Sequence, residues 1–239
     1  SGDVKIIDTV QRGNRSMYEF NMKIFEGAFS PIASCMGVTL FLTFATFIIG
    51  FMMALAIAFL SMSKNKAVSA FLKIWLSFFR GTPLLVQLFF FVYGLFPNLP
   101  LTRSMTPIWH AIICLSLAYS AYMAETIRGA IQSVDKGQLE GCLSIGMTYF
   151  QGMRRIILPQ AVHYMIPPLS NNFLEVFKGT SLASMVGITE MMLKAKMLSS
   201  RDLRFMEIYL AVLCIYWGLN IIFTIIQKYI ENHLNQKYA

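Results

Sequence analysis

Long runs of apolar residues alternate with short polar segments along this chain. Residues 32–60 carry no charged side chain, and residues 205–230 carry two, Glu207 near their start and Lys228 near their end. Residues 107–124 and 158–177 form two further apolar runs. A helix needs roughly 20 apolar residues to cross about 30 Å of hydrocarbon. The pattern therefore predicts a membrane-spanning helix in each of these runs.

A further apolar run, residues 67–95, is interrupted by the sequence Arg80, Gly81, Thr82 and Pro83. An arginine in the middle of a bilayer costs about 2.5 kcal/mol or more. We therefore expect an interfacial helix over residues 71–79 and a span that begins near Pro83, because proline is tolerated in a first helical turn. The chain is predicted to be an all-α integral membrane protein with about five transmembrane helices.

The composition agrees with a membrane environment. The chain is 56% hydrophobic and 13% charged, whereas soluble domains are about 45–50% apolar and about 25% charged. Its net charge of +8 suits anionic lipid, and no basic stripe with interleaved aromatic residues indicates nucleic-acid binding. The cysteines and histidines are scattered, so no metal or redox site is predicted. No signal-peptide pattern precedes Ile32.

A polar segment, residues 136–161, separates two of the predicted spans. It is too polar to cross the bilayer, so it lies on one side, where a soluble partner can reach it. A short amphipathic helix is expected over residues 140–149, with Gly146 interrupting it, and Pro159 fits the first turn of the next span. Residues 141–148 resemble a P-loop, but Met147 stands where the phosphate-binding lysine is needed, so ATP is not expected to bind here.

The polar segment resembles the EAA loop of ABC importer permeases, which reads E-A-A-x-x-x-G and is followed by I-x-L-P. Two small residues, Gly141 and Cys142, stand where the alanines are usual, so close docking on a partner should be preserved. The resemblance implies that the loop, residues 133–157, couples the permease to an ATPase. The residues that carry it are Glu140, Gly141, Cys142, Gly146, Leu158 and Pro159.

Two more blocks resemble the polar amino-acid subfamily of these permeases. Residues 79–87 read F-R-G-T-P-L-L-V-Q, in which Arg80, Gly81, Thr82 and Pro83 are motif residues with a structural role. Residues 167–173 and 178–182 resemble P-x-x-x-N-x-F and K-D-T-S-L, with Gly179 in place of the usual acid. The likeness is greatest to the cystine-type permeases, through S-I-G-M-T at residues 144–148 and the P-P-L-S-N run.

The resemblance implies a type I importer: two permease subunits, identical or different, two cytoplasmic ATPases that bind ATP and Mg, and an extracytoplasmic amino-acid-binding protein. Lysine and arginine counts on the two sides match, so the positive-inside rule leaves the orientation open. The resemblance implies a bacterial inner-membrane protein with its N-terminus outside and its C-terminus cytoplasmic. Residues 1–30 would be an extracytoplasmic or interfacial segment, residues 31–231 the permease domain and residues 232–239 a tail. The chain itself would be neither an enzyme nor a cofactor carrier.

Polar residues within a span mark candidates for the substrate site. A zwitterionic amino acid needs an acceptor for its ammonium group and donors for its carboxylate. Glu175 could be the acceptor, or it could form a structural pair with Lys178 or Arg80. The candidate residues are Asn171, Asn172, Glu175 and Ser181.

Two alternatives remain open from the sequence. An ion-coupled secondary amino-acid transporter would lack ATPases, and a membrane enzyme would need a catalytic cluster that the dispersed acids do not suggest.

Gly50, Ala54 and Ala58 form a small-residue face, which could lie at a subunit interface or in internal packing. Glu125 and Arg128, three residues apart at the end of a span, are expected to form an ion pair at the membrane edge.

Overall fold

The computed structural model describes residues 19–61 and 65–238, and these residues contain helices and no strand. Residues 1–18 of the predicted N-terminal segment lie outside this description. Residues 232–238 of the predicted tail continue the last helix. The helices are α1 (Met22–Ala33), α2 (Met36–Ser61), α3 (Lys66–Gly81), α4 (Leu84–Phe89), α5 (Pro107–Gln132), α6 (Lys136–Ser144), α7 (Tyr149–Gly152), α8 (Leu158–Gly179), α9 (Met191–Asp202) and α10 (Phe205–Tyr238).

Three helices, α2, α5 and α10, are long and apolar enough to cross a membrane. A fourth candidate is the broken pair formed by α3 and the segment Leu84–Asn98, which are bent by 106° to one another. The predicted span over residues 158–177 forms the continuous helix α8, but it falls short of the apolarity of the others. Its internal prolines, Pro167 and Pro168, and the polar residues after them account for the difference.

The bend between α3 and α4 follows from local backbone chemistry. Thr82 is extended, with φ −114° and ψ 148°, as expected for a residue that precedes proline. The side chain of Gln87 donates to the carbonyl oxygens of Phe79 and Thr82, each at 3.1 Å, and to Thr82 Oγ1 at 2.7 Å. Carbonyl groups that the interrupted helix leaves open are thereby satisfied. The interfacial helix predicted over residues 71–79 lies within α3, separate from the segment after Pro83.

Close packing of α2 against α5 forms part of the core. A Cβ at Gly50 would lie 3.3 Å from the Ser116 carbonyl oxygen and 3.2 Å from Met123 Cε. Ala54 and Ala58 are buried in the same region. The small-residue face of α2 therefore serves packing within this chain. Of the two alternatives that the sequence left open, internal packing and a subunit interface, the structure shows internal packing.

A buried glutamate joins three helices at the start of α9. Glu190 caps α9 by accepting a hydrogen bond from Leu193 N at 2.9 Å. It also accepts one from the Tyr216 hydroxyl of α10 at 3.0 Å, and Thr39 Oγ1 of α2 lies at 3.5 Å. Burial raises the pKa of the Glu190 carboxyl, although its hydrogen bonds act in the opposite direction.

Candidate functional site

The EAA loop begins with a capped helix that ends at a defined turn. Asp135 accepts a hydrogen bond from Gly137 N at 2.7 Å and caps α6. At the other end, Met147 N donates to Cys142 O and Gly146 N donates to Leu143 O, each at 3.0 Å. This pair of bonds is a Schellman motif, which requires the φ of +81° that Gly146 adopts. The predicted helix over residues 140–149 was therefore placed too far along the chain, since α6 spans Lys136–Ser144.

A second helix begins at Tyr149, directly after this turn. Thr148 and Gln151 form a capping box, with Gln151 N donating to Thr148 Oγ1 at 3.3 Å and Thr148 N donating to Gln151 Oε1 at 2.8 Å. From Tyr149 the backbone stays helical through a π-helical turn, Met153–Ile157, into α8. Pro159 does lie in the first turn of α8, but the helical segment starts ten residues earlier, at Tyr149. The π turn accommodates the proline, whose ring would clash within a regular helix.

Helix α6 packs directly on this helical segment. A Cβ at Gly152 would lie 3.1 Å from Cys142 Cβ and 3.3 Å from Leu139 Cδ1. Cys142 is thus an inward-facing residue, 6% exposed, whereas Glu140 and Gly141 face outward. The role of Gly152 could not be predicted from the sequence, because nothing local distinguishes it from the other glycines of the polar segment.

The outward side of the EAA loop combines one acid with large apolar side chains. Among the described residues, the carboxylate of Glu140 has no ion-pair partner. Ile145 and Phe150 are 78% and 71% exposed. An exposed apolar patch beside a charged group is typical of a protein interaction surface.

A cavity of about 230 Å³ lies where α3, α4, α5 and α8 meet. We call it the aromatic cavity, because aromatic rings contribute much of its wall. Phe79 and Thr82 of the F-R-G-T-P segment thus meet two of the predicted substrate residues on α8, Asn172 and Glu175. The cavity is lined by Phe79, Thr82, Leu84, Ala118, Tyr119, Tyr122, Asn172 and Glu175.

Two of the predicted substrate residues line the aromatic cavity. Asn172 Nδ2 donates to Thr126 Oγ1 at 2.9 Å. Glu175 Oε1 pairs with Lys178 Nζ at 2.8 Å, as the structural alternative predicted, with both side chains more than half exposed. An exposed pair of this kind contributes about 1 kcal/mol or less, so a charged ligand can replace it.

The other two predicted residues lie elsewhere. Asn171 is exposed and does not line the aromatic cavity. Ser181 follows α8, and its hydroxyl donates to the Lys178 carbonyl oxygen at 2.7 Å. The structure therefore does not bring all four candidate residues together. Tyr119 and Tyr122, which the sequence analysis did not select, complete the wall.

Arg80 joins the bend to α5 beside the aromatic cavity. Its guanidinium lies 3.6 Å from the Glu125 carboxylate and 6.0 Å from the Tyr122 ring centre. Arg128 pairs with the same carboxylate at 2.6 Å, which confirms the predicted Glu125–Arg128 pair. The partner of Arg80 is thus Glu125, not Glu175.

Comparison with known proteins identifies relatives of this chain. Residues 46–236 match the family described as binding-protein-dependent transport system inner membrane component. The probable amino-acid permease protein YxeN of Bacillus subtilis (strain 168) is 44% identical over 211 residues, which cover 88% of this chain and 94% of YxeN. The L-cystine transport system permease protein TcyB of the same organism is 41% identical over 202 residues, which cover 84% of this chain and 85% of TcyB.

Solved structures agree with this assignment. A crystal structure of an amino acid ABC transporter with histidines matches at a TM-score of 0.81 and 32% identity, covering 90% of this chain and 99% of that chain. The inward-facing MetNI methionine ABC transporter matches at a TM-score of 0.74 and 17% identity, covering 87% of this chain and 98% of that chain, and shares the fold. The predicted type I importer fold is confirmed. The chain belongs to the family of inner membrane components of binding-protein-dependent transport systems, as a permease subunit of an amino-acid ABC transporter and not an enzyme.

Proposed function

We propose that this chain forms the translocation path for L-cystine or a related polar amino acid, with the aromatic cavity as its substrate site. The observation that carries the proposal is the convergence of the F-R-G-T-P bend with Asn172 and Glu175 on one cavity. The likeness to an L-cystine permease supports the choice of substrate.

An exchange of ion pairs would accommodate a zwitterion in this cavity. The substrate ammonium group takes the place of Lys178 on the Glu175 carboxylate, and the released Lys178 receives the substrate carboxylate. The exposed Glu175–Lys178 pair is weak enough for this exchange. The Asn172 side chain, held by Thr126, offers a carbonyl oxygen as a further acceptor.

The helical segment 149–179 would couple this cavity to a cytoplasmic ATPase, which binds ATP and Mg. Helix α6 packs on Gly152 near the start of the segment, and Asn172 lies about 30 Å further along it at ~1.5 Å per residue. A displacement of the EAA loop is therefore transmitted through continuous backbone to the cavity wall. Glu140 would contact the ATPase through charge-assisted hydrogen bonds.

The remaining proposals concern assembly. The chain pairs with a second permease subunit, and an extracytoplasmic binding protein delivers the substrate. The EAA loop and the C-terminus face the cytoplasm, and the N-terminus lies outside. An apolar groove of about 320 Å³ between α2, α8 and α10, lined by residues that include Phe44, Phe173 and Phe223, is available to lipid or to the second subunit.

Uptake of labelled L-cystine by cells that carry the whole system tests the substrate. Excess unlabelled arginine, glutamine and histidine serve as competitors. Uptake that only cystine-like compounds block supports the proposal. If arginine or glutamine also blocks the uptake, cystine is excluded as the specific substrate, but the assignment as an amino-acid permease is retained.

The Glu140→Ala variant tests the coupling role. We expect uptake to fall about tenfold or more, equivalent to about 1.4 kcal/mol, because a charged contact with the ATPase is lost. ATP hydrolysis should continue but lose its stimulation by substrate-loaded binding protein. Gln138→Ala, an exposed change on the same helix, is the matched control. Uptake at the wild-type rate in Glu140→Ala would show that Glu140 has no coupling role.

A further inference from the structure

Tyr119 occupies the space that a side chain at position 179 would need. A Cβ built on Gly179 would overlap the Tyr119 hydroxyl and lie 2.8 Å from its Cζ. The hydroxyl also donates to the Glu175 carbonyl oxygen at 3.1 Å. The phenol of α5 is therefore held against the backbone of α8 at a place where α8 has no side chain.

This contact determines the shape of the aromatic cavity. Tyr119 lines the cavity together with Tyr122, one turn further along α5, and their ring centres are 6.3 Å apart. The cavity volume of about 230 Å³ lies below the ~300–1,000 Å³ of most small-molecule pockets. The Tyr119 ring is held by its contact with Gly179 and by the hydroxyl bond to Glu175 O, so it forms a rigid part of the cavity wall.

We propose that Tyr119, seated on Gly179, is a specificity-determining residue that limits the length of the amino acid accepted by the cavity. This inference rests on the proposed substrate site. In the proposed site an amino acid as long as L-cystine lies between Glu175 and the two tyrosine rings, whereas a longer side chain would meet the fixed Tyr119 ring. Gly179 is required in this arrangement, since any larger residue would push the ring into the cavity.

Binding to the purified permease–ATPase complex, without nucleotide or binding protein, isolates this site from the selectivity of the binding protein. The probes are labelled L-serine, L-cystine and the longer L-homocystine, which form a series of increasing length. In Tyr119→Ala we expect the affinity ratio of the longest to the shortest probe to rise about tenfold or more. Tyr119→Phe keeps the ring but loses the hydroxyl bond to the Glu175 carbonyl oxygen, so the ratio should rise by less than in Tyr119→Ala.

Gly179 gives a second and independent test. Gly179→Ala should weaken binding of all three probes, because its Cβ displaces the Tyr119 ring. Adding Tyr119→Ala removes the clash, so the double variant should bind again, with the same changed ratio as Tyr119→Ala. Restored binding also shows that the loss in Gly179→Ala is not a failure to fold.

The outcomes separate this inference from the proposed site. If Glu175→Gln weakens binding but Tyr119→Ala leaves the probe ratio unchanged, the length limit is wrong and the site stands. If Glu175→Gln binds all probes like the wild type, or if no probe binds the wild-type complex, the proposed site is wrong and this inference fails with it.

Discussion

Replacing Gly152 with valine is expected to abolish amino-acid uptake while the chain remains folded in the membrane. The valine side chain would collide with Cys142 and Leu139, because even a Cβ at this position lies 3.1 Å and 3.3 Å from their side-chain atoms. Helix α6 would then separate from the helical segment that leads to the aromatic cavity. Uptake should fall at least about tenfold, with basal ATP hydrolysis retained.

Gly129→Val is the matched control for this variant. Gly129 also lies in a helix, but a Cβ there meets no atom within 4 Å, so uptake should stay near the wild-type rate. Uptake and complex yield are measured together in both variants. Normal uptake by Gly152→Val would mean that the contact between α6 and the helical segment carries no coupling.

Replacing Glu190 with alanine is expected to destabilise the fold by about 2–4 kcal/mol. Loss of the helix cap accounts for about 1 kcal/mol, and the part-buried Tyr216 hydroxyl loses the Glu190 carboxylate as its acceptor. Because Glu190 joins α2, α9 and α10, the loss should lower the Tm and the amount of chain in the membrane. Thermal unfolding of the purified complex measures this effect.

Two further variants test whether the lost hydrogen bonds of Glu190 cause the loss of stability. Glu190→Gln keeps a side-chain acceptor for Leu193 N and should lose about 1 kcal/mol or less. Asp202→Asn removes an acid that pairs with Arg201 at the exposed end of α9, and its Tm should match the wild type within error. An unchanged Tm in Glu190→Ala would show that the buried carboxyl does not hold these helices together.

Features that depend on neighbouring residues could be predicted from the amino-acid sequence. Runs of apolar residues identified the membrane environment, and the order Arg80 to Pro83 predicted the break between α3 and the following segment. Gly146 was predicted to interrupt the helix of the EAA loop, and it lies in the turn that ends α6. Each of these features depends on residues within one or two turns of one another, so it can be predicted without the rest of the fold.

Which side chains share a site depends on the packing of helices that are distant in the sequence. Tyr119 and Gly179 belong to different helices. Neither helix alone shows that the Tyr119 ring occupies the space that a side chain at Gly179 would fill. Gly152 and Cys142 are likewise matched across two helices. The apolar pattern determines how much surface each helix must bury. The rotation and separation of helix pairs depend on how all the side chains pack together. These two quantities place Tyr119, and not Asn171, at the cavity.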